Sequence, residues 1–191
     1  MMAMKFVDAH IHLSDEEYAG VVDEVLAEAK NSGVVALVSN SMDLKTCQGT
    51  LRLAEKLSLP TIIHSRGATV QVVDMLPSYK LRKVLLHWFS NPISALDKAV
   101  ERDYYITEGP ATLYSNGIRE VVKKVPLTNL LTETDGPVRF FKKPFEGKRT
   151  TPSFIPAVIA AFAEVKKISV EEVAGQILNN FQNFFDVEPF L

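Results

Sequence analysis

Cysteine is nearly absent from this chain of 191 residues, and so is any imbalance of charge. The single cysteine, Cys47, excludes an internal disulfide and a cysteine-rich zinc framework. With 21 basic and 23 acidic residues the formal net charge is −2, so nucleic-acid binding would have to depend on a local basic patch. No apolar run approaches the roughly 20 residues of a membrane span, and the N-terminal Met-Met-Ala-Met-Lys is too short for a signal peptide. We therefore expect a cytoplasmic protein that makes no contact with a membrane.

Apolar residues make up 47% of the sequence, which is enough for one well-packed core. No change in composition divides the chain, so we predict that residues 1–191 form a single domain. Short apolar runs alternate with helical patterns, which favours parallel βαβ units and an α/β fold. The predicted strands are Lys5–Ile11, Val34–Ser39, Thr61–His64, Lys83–His87, Tyr104–Thr107 and Asn129–Thr134.

Helices are predicted between and after these strands. An amphipathic segment capped by Ser14 and Glu17 is predicted to continue to Asn31, with Gly33 as its terminator. The other predicted helices are Asp43–Leu57, Thr69–Leu76, Pro92–Arg102, Ile118–Lys124, Pro152–Lys167 and Val170–Phe185. Ser169 is the predicted N-cap of the last of these helices.

All four histidines lie at the ends of predicted strands. His10 and His12 close the first strand, His64 closes the third and His87 closes the fourth, while Asp135 follows the last strand. In a parallel α/β fold the carboxyl ends of the strands converge on the face that holds the active site. Imidazoles and a carboxylate that meet there are most simply explained by a divalent-metal site, and these donors suit Zn, Mn, Ni, Fe or Mg without selecting one.

Each of these residues also has a simpler explanation. His10 and His12 can be a surface pair on an edge strand, and His64 can be a core histidine bonded to a backbone carbonyl. Asp135, which precedes a Gly-Pro pair, can merely initiate a turn. Asp8 shares the strand face of the first two histidines, where it is either a ligand or a carboxylate that is hydrogen-bonded in the floor of the fold.

Asp135 and two further polar residues near the strand ends could take part in chemistry. Asp135 could ligate a metal and also take a proton from an attacking water. Glu133, two residues earlier, is either a buried carboxylate that needs a partner or a group that orients a ligand. Arg66 offers a guanidinium fork that matches a phosphate, or forms a structural ion pair.

The segment Gly136–Thr151 is the longest without periodicity, and it follows the last strand, where such folds keep functional loops. Basic and aromatic residues alternate within it: Arg139, Phe140, Phe141, Lys142, Lys143, Phe145, Lys148 and Arg149, against one acidic residue, Glu146. Cations and rings at the rim of a metal site suit a single-stranded nucleic acid, with phosphates on the cations and bases on the rings. The alternative is a solvated loop whose aromatic side chains fold onto the barrel.

Four motifs, in this order, resemble those of the TatD-related deoxyribonuclease family, within the metal-dependent hydrolase superfamily. They are Phe-Val-Asp-Ala-His-Ile-His at 6–12, Leu-Pro-Thr-Ile-Ile-His-Ser-Arg at 59–66, Val-Leu-Leu-His-Trp-Phe-Ser at 84–90 and Leu-Leu-Thr-Glu-Thr-Asp-Gly-Pro at 130–137. The segments 152–163 and 179–185 also resemble the end of that family's sequences. The resemblance therefore extends over essentially the whole chain.

This resemblance implies a TIM barrel and metal-dependent hydrolysis of DNA phosphodiesters, often from a 3′ end. It implies that His10, His12 and Asp135 hold one metal ion and that His64 and His87 hold a second. The expected cofactor is one or two divalent ions per chain, Mg, Mn or Zn. The resemblance further implies that Arg66 lies near the substrate phosphate and that Asp135 acts on the attacking water.

One motif of the family is missing from this chain. Family members carry a Gly-Glu-x-Gly-Leu-Asp strand whose glutamate bridges two metal ions, and two strand-helix units between Val34–Ser39 and the Asp43–Leu57 helix have no counterpart here. A complete barrel takes about 250 residues, so we expect a shortened member with about six parallel strands in an incomplete or distorted barrel. Glu108, at another strand end, either supplies the missing carboxylate or is a solvent-exposed loop residue. The exposed edges beside the gap make a homodimer that closes the barrel a reasonable hypothesis.

The sequence thus predicts a metal-dependent hydrolase, in the form of a TatD-like deoxyribonuclease that cleaves single strands or 3′ ends with a metal-activated water. A first alternative is a metal-dependent amidohydrolase or lactonase that acts on a small substrate. A second alternative is a catalytically degenerate relative that binds metal or nucleic acid without turnover.

Overall fold

The computed structural model describes residues 4–11, 16–18, 20–39, 58, 60–90 and 92–187. Within these ranges, each predicted strand is present, and its ends lie within two residues of the prediction. The strands are β1 (Phe6–Ile11), β2 (Val34–Ser39), β3 (Thr61–His64), β4 (Val84–His87), β5 (Tyr105–Glu108) and β6 (Leu130–Thr132).

All pairings between the described strands are parallel. Strands β3, β4, β5 and β6 form one sheet in that order, and β1 pairs with β2 in another. The register places His64 of β3 directly beside His87 of β4. Strand ends that carry histidines are therefore adjacent because of the strand pairing itself.

The two sheets meet where β1 lies beside the end of β6. The backbone amide of Asp135 donates to the carbonyl of His10 at 3.1 Å, and the Thr132 hydroxyl donates to the carbonyl of Val7 at 2.6 Å. The resulting order is β2-β1-β6-β5-β4-β3, and no described residue pairs β2 with β3. The predicted fold, an incomplete TIM-barrel-like α/β arrangement of six parallel strands, is confirmed.

Six helices accompany these strands within the described part of the chain. They are α1 (Val22–Asn31), α2 (Thr69–Met75), α3 (Ile93–Glu101), α4 (Asn116–Lys124), α5 (Ile155–Lys166) and α6 (Val170–Phe185). The main core lies between the sheet and the helices, where strand residues such as Leu86 and Ile106 cluster with Ile159 and Phe162 of α5. None of the helices in these ranges has the length and apolarity to cross a bilayer.

The predicted helix from Ser14 to Asn31 is wrong in its first half. The structure has a short 3₁₀ turn, Glu16–Tyr18, and α1 begins only at Val22. Gly20 separates the two with a φ of +76°, a left-handed conformation that a helix cannot continue through. The predicted end is right, because Gly33 adopts a φ of +82° directly after α1. Ser14 and the predicted helix Asp43–Leu57 lie outside the described residues.

The C-terminal helix α6 is fastened at both ends. The Ser169 hydroxyl accepts a hydrogen bond from the Glu172 amide at 3.1 Å, as predicted for its N-cap. Asn180, within α6, donates to the carbonyls of Leu127, before β6, and Leu130, its first residue, each at 2.7 Å. Asp186, directly after α6, accepts a hydrogen bond from Lys83 at 2.8 Å. The helix therefore ties the start of β6 to the start of β4, opposite the histidine end of the sheet.

Candidate metal centre

Three of the predicted site residues form one buried cluster at the carboxyl end of the sheet. His10, His87 and Asp135 each offer a ligand atom, and these atoms lie within 4.8 Å of one another. Asp135 Oδ1 lies 3.6 Å from Nε2 of His10 and 3.5 Å from Nε2 of His87. Two imidazoles and one carboxylate at this spacing are a donor set that suits a divalent transition metal.

The backbone after β6 turns the Asp135 carboxylate toward the histidines. Asp135 adopts a φ of +51°, which aspartate tolerates better than most residues, and its amide is held by His10. At the next position, a side chain on Gly136 would place its Cβ 2.1 Å from the Tyr18 hydroxyl and 3.2 Å from the Thr150 carbonyl. Only glycine therefore fits there, and the Tyr18 hydroxyl is itself fixed by donation to Thr150 O at 2.9 Å.

The imidazole rings are stacked on one another. The rings of His10 and His87 are nearly parallel, with centroids 3.6 Å apart and an interplanar angle of 6°. The ring of His64 is tilted by 35° and lies 5.0 Å from that of His87. His64 is exposed at the mouth of the site and lies outside the group of three. His12, the remaining predicted histidine, lies outside the described residues.

A chain of hydrogen bonds holds His87 from behind. Nδ1 of His87 lies 2.7 Å from Oε2 of Glu133, and the Thr107 hydroxyl donates to the same carboxylate oxygen. Thr107 in turn accepts from the backbone amide of Trp88 at 3.2 Å. A carboxylate at Nδ1 fixes the ring orientation and directs Nε2 toward Asp135, as the partners of metal-bound histidines commonly do. We expected Glu133 to be either a buried carboxylate in need of a partner or a group that orients a ligand. These contacts support the orienting role.

Asp8 forms part of the buried floor beneath the cluster. Its carboxylate accepts hydrogen bonds from the His10 amide at 3.1 Å, the Thr134 amide at 3.2 Å and the Thr134 hydroxyl at 2.5 Å. Burial raises the pKa of Asp8 to about 7, the hydrogen bonds from Thr134 and His10 oppose that rise, and the charge of Glu133 adds to it. Of the two expected roles for Asp8, a ligand or a hydrogen-bonded carboxylate in the floor of the fold, the structure has the second.

Glu108 is buried completely at the end of β5, so the alternative of an exposed loop residue is wrong. Neither of its carboxylate oxygens has a hydrogen-bond partner among the described residues. Burial, and then the charge of Glu133, raise the pKa of Glu108 well above its usual value. Its oxygens do not belong to the group formed by His10, His87 and Asp135.

Arg66 lies at the mouth of the site, on the segment that follows β3. It is exposed, and its guanidinium carbon is 5.8 Å from the centre of the Trp88 ring. A guanidinium that rests on an indole face is oriented by the ring and still has its donors available to a ligand.

In the loop after β6, two phenylalanines are buried and one is exposed to solvent. Phe140 and Phe145 are 5% and 4% exposed and pack together with Phe154, as the alternative of a folded-back loop predicts. Phe141 is 82% exposed. Arg139 is paired with Glu17 at 2.6 Å, which joins the loop to the segment after β1.

Sequence reasoning missed Thr107, which bonds to the carboxylate behind His87, and Tyr18, which packs against Gly136 next to Asp135. Thr107 shares the strand face of His87 across the parallel ladder, so strand alternation was a usable signal for it. Tyr18 had no such signal, because its partner, Thr150, is 132 residues away in the chain.

Parallel strands wrapped by helices, with histidines and an aspartate at their carboxyl ends, define a TIM-barrel-like protein with a candidate metal centre. The family model described as TatD related DNase matches residues 48–186 of this sequence. The chain belongs to the TatD related DNase family.

Curated relatives agree with this membership. The chain is 33% identical to the uncharacterized metal-dependent hydrolase YabD of Bacillus subtilis over 141 residues, 72% of this chain and 55% of the relative. It is 33% identical to human deoxyribonuclease TATDN3 over 135 residues, 71% of this chain and 48% of the relative. The chain thus spans about half the length of the curated relatives it matches.

Solved structures of TatD proteins share the fold. The TatD homologue YjjV of Escherichia coli K12 aligns with a TM-score of 0.84 and 22% identity, over 96% of this chain and 98% of that one. A TatD family hydrolase from Entamoeba histolytica aligns with a TM-score of 0.79 and 17% identity, over 97% of this chain and 99% of that one.

Proposed function

We propose that this chain is a metal-dependent hydrolase that cleaves phosphodiester bonds in DNA. The observation that carries the proposal is the buried cluster of His10, His87 and Asp135 at the carboxyl end of a parallel sheet. Membership of the TatD related DNase family supports the choice of substrate. So does the name of the human relative, a deoxyribonuclease.

The donor set fits a divalent ion, Mg, Mn or Zn. His10, His87 and Asp135 would hold it, and His12 would complete the set. When bound, such an ion supplies Lewis acidity, which activates water as a nucleophile and stabilises negative charge on a phosphoryl oxygen. With two ions bound, His10, His12 and Asp135 would hold one, and His64 and His87, whose rings are 5.0 Å apart, would hold the other. Glu108, which is buried at the end of β5, would substitute for the family's bridging glutamate.

The chain's own residues provide the proton transfer and the orientation. The Asp135 carboxylate, which lies between the two imidazoles, takes a proton from the water that attacks phosphorus. As the new P–O bond forms, the bond to the leaving oxygen breaks. That oxygen takes a proton from solvent and becomes the strand's new hydroxyl end, and Asp135 returns its proton to solvent. Glu133 keeps His87 in the orientation that faces Asp135. Arg66 donates to the phosphate at the mouth of the site.

Four further aspects of the protein belong to the same proposal. The preferred substrate is single-stranded DNA or a 3′ end, and residues 1–191 act as one hydrolase domain. The chain works in the cytoplasm, a compartment in which a single cysteine stays reduced. Two copies associate through the sheet edges of β2 and β3.

The test is turnover of 5′-labelled single-stranded DNA by metal-stripped protein after Mg²⁺, Mn²⁺ or Zn²⁺ is added back. We expect metal-dependent shortening, which Asp135→Asn should slow by roughly 10²- to 10⁴-fold, the range for loss of a general base. Asp97→Asn is the matched control, because Asp97 is an exposed aspartate on α3 paired with Lys124 and should have little effect. Shortening that is equal in Asp135→Asn and wild type, or absent with every metal, would contradict the proposal.

A further inference from the structure

The rim segment Val138–Arg149 is held firmly on the protein despite its irregular backbone. Buried Phe145 stacks on Phe154 with ring centroids 4.4 Å apart, and Phe140 lies 6.0 Å from the ring of Trp88. The Val138 amide donates to the Asp135 carbonyl at 3.0 Å, so the rim segment begins at the cluster itself. Its exposed side chains are therefore presented on a fixed support.

Phe141 projects from this support into solvent. It is 82% exposed, whereas the other exposed large apolar side chains of the described residues are between 38% and 44% exposed. A single exposed apolar residue is ordinary on a protein surface. Phe141 differs because it follows Phe140, a buried residue that lines the same small internal void as Glu133, Thr134 and Asp135.

Exposed basic residues follow this ring along the chain. Lys142 and Lys143 follow it directly, Lys148 and Arg149 lie farther along the segment, and all four are exposed. Only Glu146 is acidic within the rim segment. An exposed ring among cations is the arrangement that binds single strands, because the ring stacks on a base and the cations neutralise the flanking phosphates.

We infer that Phe141 stacks on an unpaired base of the strand that extends from the site, while Lys142 and Lys143 contact the adjacent phosphates. The inference rests on the proposed function, because it takes nucleic acid as the substrate. A base within a duplex is already stacked on both neighbours and is not available to Phe141. This one side chain thereby selects single strands over duplexes, whereas the lysines bind both.

The experiment measures the affinity of a fluorescein-labelled oligo(dT) of 15 nucleotides by anisotropy, at fixed salt and with Mg²⁺ present. The chain of residues 1–191 carries Asp135→Asn, so that the strand is not cut during the measurement. Adding Phe141→Ala should weaken binding by on the order of tenfold, within the range for loss of one base–aromatic stack. Phe141→Tyr, which keeps the ring, should restore most of the affinity.

Three comparisons make the test specific. Met75→Ala is the matched control, because Met75 is an exposed apolar residue on α2, outside the rim segment, and its loss should change the affinity by less than about twofold. The affinity for a duplex of the same length should be the same with and without Phe141→Ala. In an oligonucleotide with a single abasic position, moved stepwise along the strand, the effect of Phe141→Ala should disappear where that position meets the ring.

Two outcomes would overturn the inference. If oligo(dT) binds strongly and Phe141→Ala does not change its affinity, the stacking role of Phe141 is rejected. The proposed nuclease activity is not affected by that result. A loss of affinity that is equal for duplex and single strand would assign Phe141 to general contact instead of base stacking. Binding that depends on Phe141 without any strand cleavage by the unsubstituted chain would instead contradict the proposed function and leave the inference standing.

Discussion

At the scale of single residues, the hydrogen-bonded row of Trp88, Thr107, Glu133 and His87 is the most informative part of the site. Each member has a described partner, so the row fixes an imidazole without using the atoms that face Asp135. Glu133 is 1% exposed, and a buried carboxylate without a partner would be costly. Its bond to His87 therefore stabilises the fold and orients the candidate ligand at once.

Glu133→Gln should weaken metal binding by about 10- to 100-fold, the range for loss of a carboxylate behind a metal-bound histidine. The amide keeps the shape of the side chain but removes the charge that holds the ring. Isothermal titration of metal-stripped protein with Mn²⁺ or Zn²⁺ measures the effect. Glu164→Gln, at an exposed position on α5, is the control and should leave the affinity unchanged. Equal affinities for both variants would show that Glu133 does not act through His87.

At the scale of the elements, the strands follow closely from the sequence because each is a short apolar run that ends at a polar residue. Three of the four histidines could be placed correctly for the same reason: parallel register alone sets His64 beside His87. The ends of the helices were harder to predict, because the backbone conformation of one residue can determine where a helix begins. The early start assigned to α1 failed because Gly20 adopts a positive φ, which periodicity does not reveal.

The end of α6 has a pH dependence that can be measured. The hydrogen bond from Lys83 holds the pKa of Asp186 below its usual value of 3.8, and the nearby charge of Arg82 contributes. Because the pKa is depressed in the folded state, the stabilisation is fully present above the unfolded value and is lost as the pH falls through the folded value.

Asp186→Asn should therefore lower the free energy of unfolding slightly at pH 6, and the difference from wild type should vanish at pH values below the folded pKa of Asp186. Urea unfolding at a series of pH values measures both curves. Asp23→Asn, at an exposed position in the first turn of α1, is the control for the removal of a negative charge. A difference that stays constant down to pH 2 would contradict the linkage.

At the scale of the whole molecule, the sequence predicted the class of fold and the location of His10, His87 and Asp135 at the carboxyl end of the sheet, but not the contacts that join distant segments. Tyr18 with Thr150 and Arg139 with Glu17 connect residues more than 100 positions apart, and no local pattern encodes such pairs. The position of Glu108 outside the cluster could have been inferred from strand alternation, because Thr107, its neighbour in β5, shares the face of His87.

The edges of β2 and β3 have no strand partner among the described residues, which leads to a prediction about the assembly. If two copies pair through these edges, light scattering coupled to gel filtration should give twice the chain mass of 21.2 kDa. A concentration series from micromolar upward separates a stable dimer from weak association. A mass of one chain throughout that series would reject the dimer.

The junction between β1 and β6 also determines when the site comes into existence. His10 and Asp135 are bonded through their backbones across a separation of more than 120 residues, which makes this contact one of the most distant among the described residues. Closing so long a loop is entropically unfavourable until the intervening strands have formed. During synthesis, the growing chain therefore lacks the His/Asp cluster until β6 has emerged from the ribosome. A product that is terminated before β6 would never form the cluster.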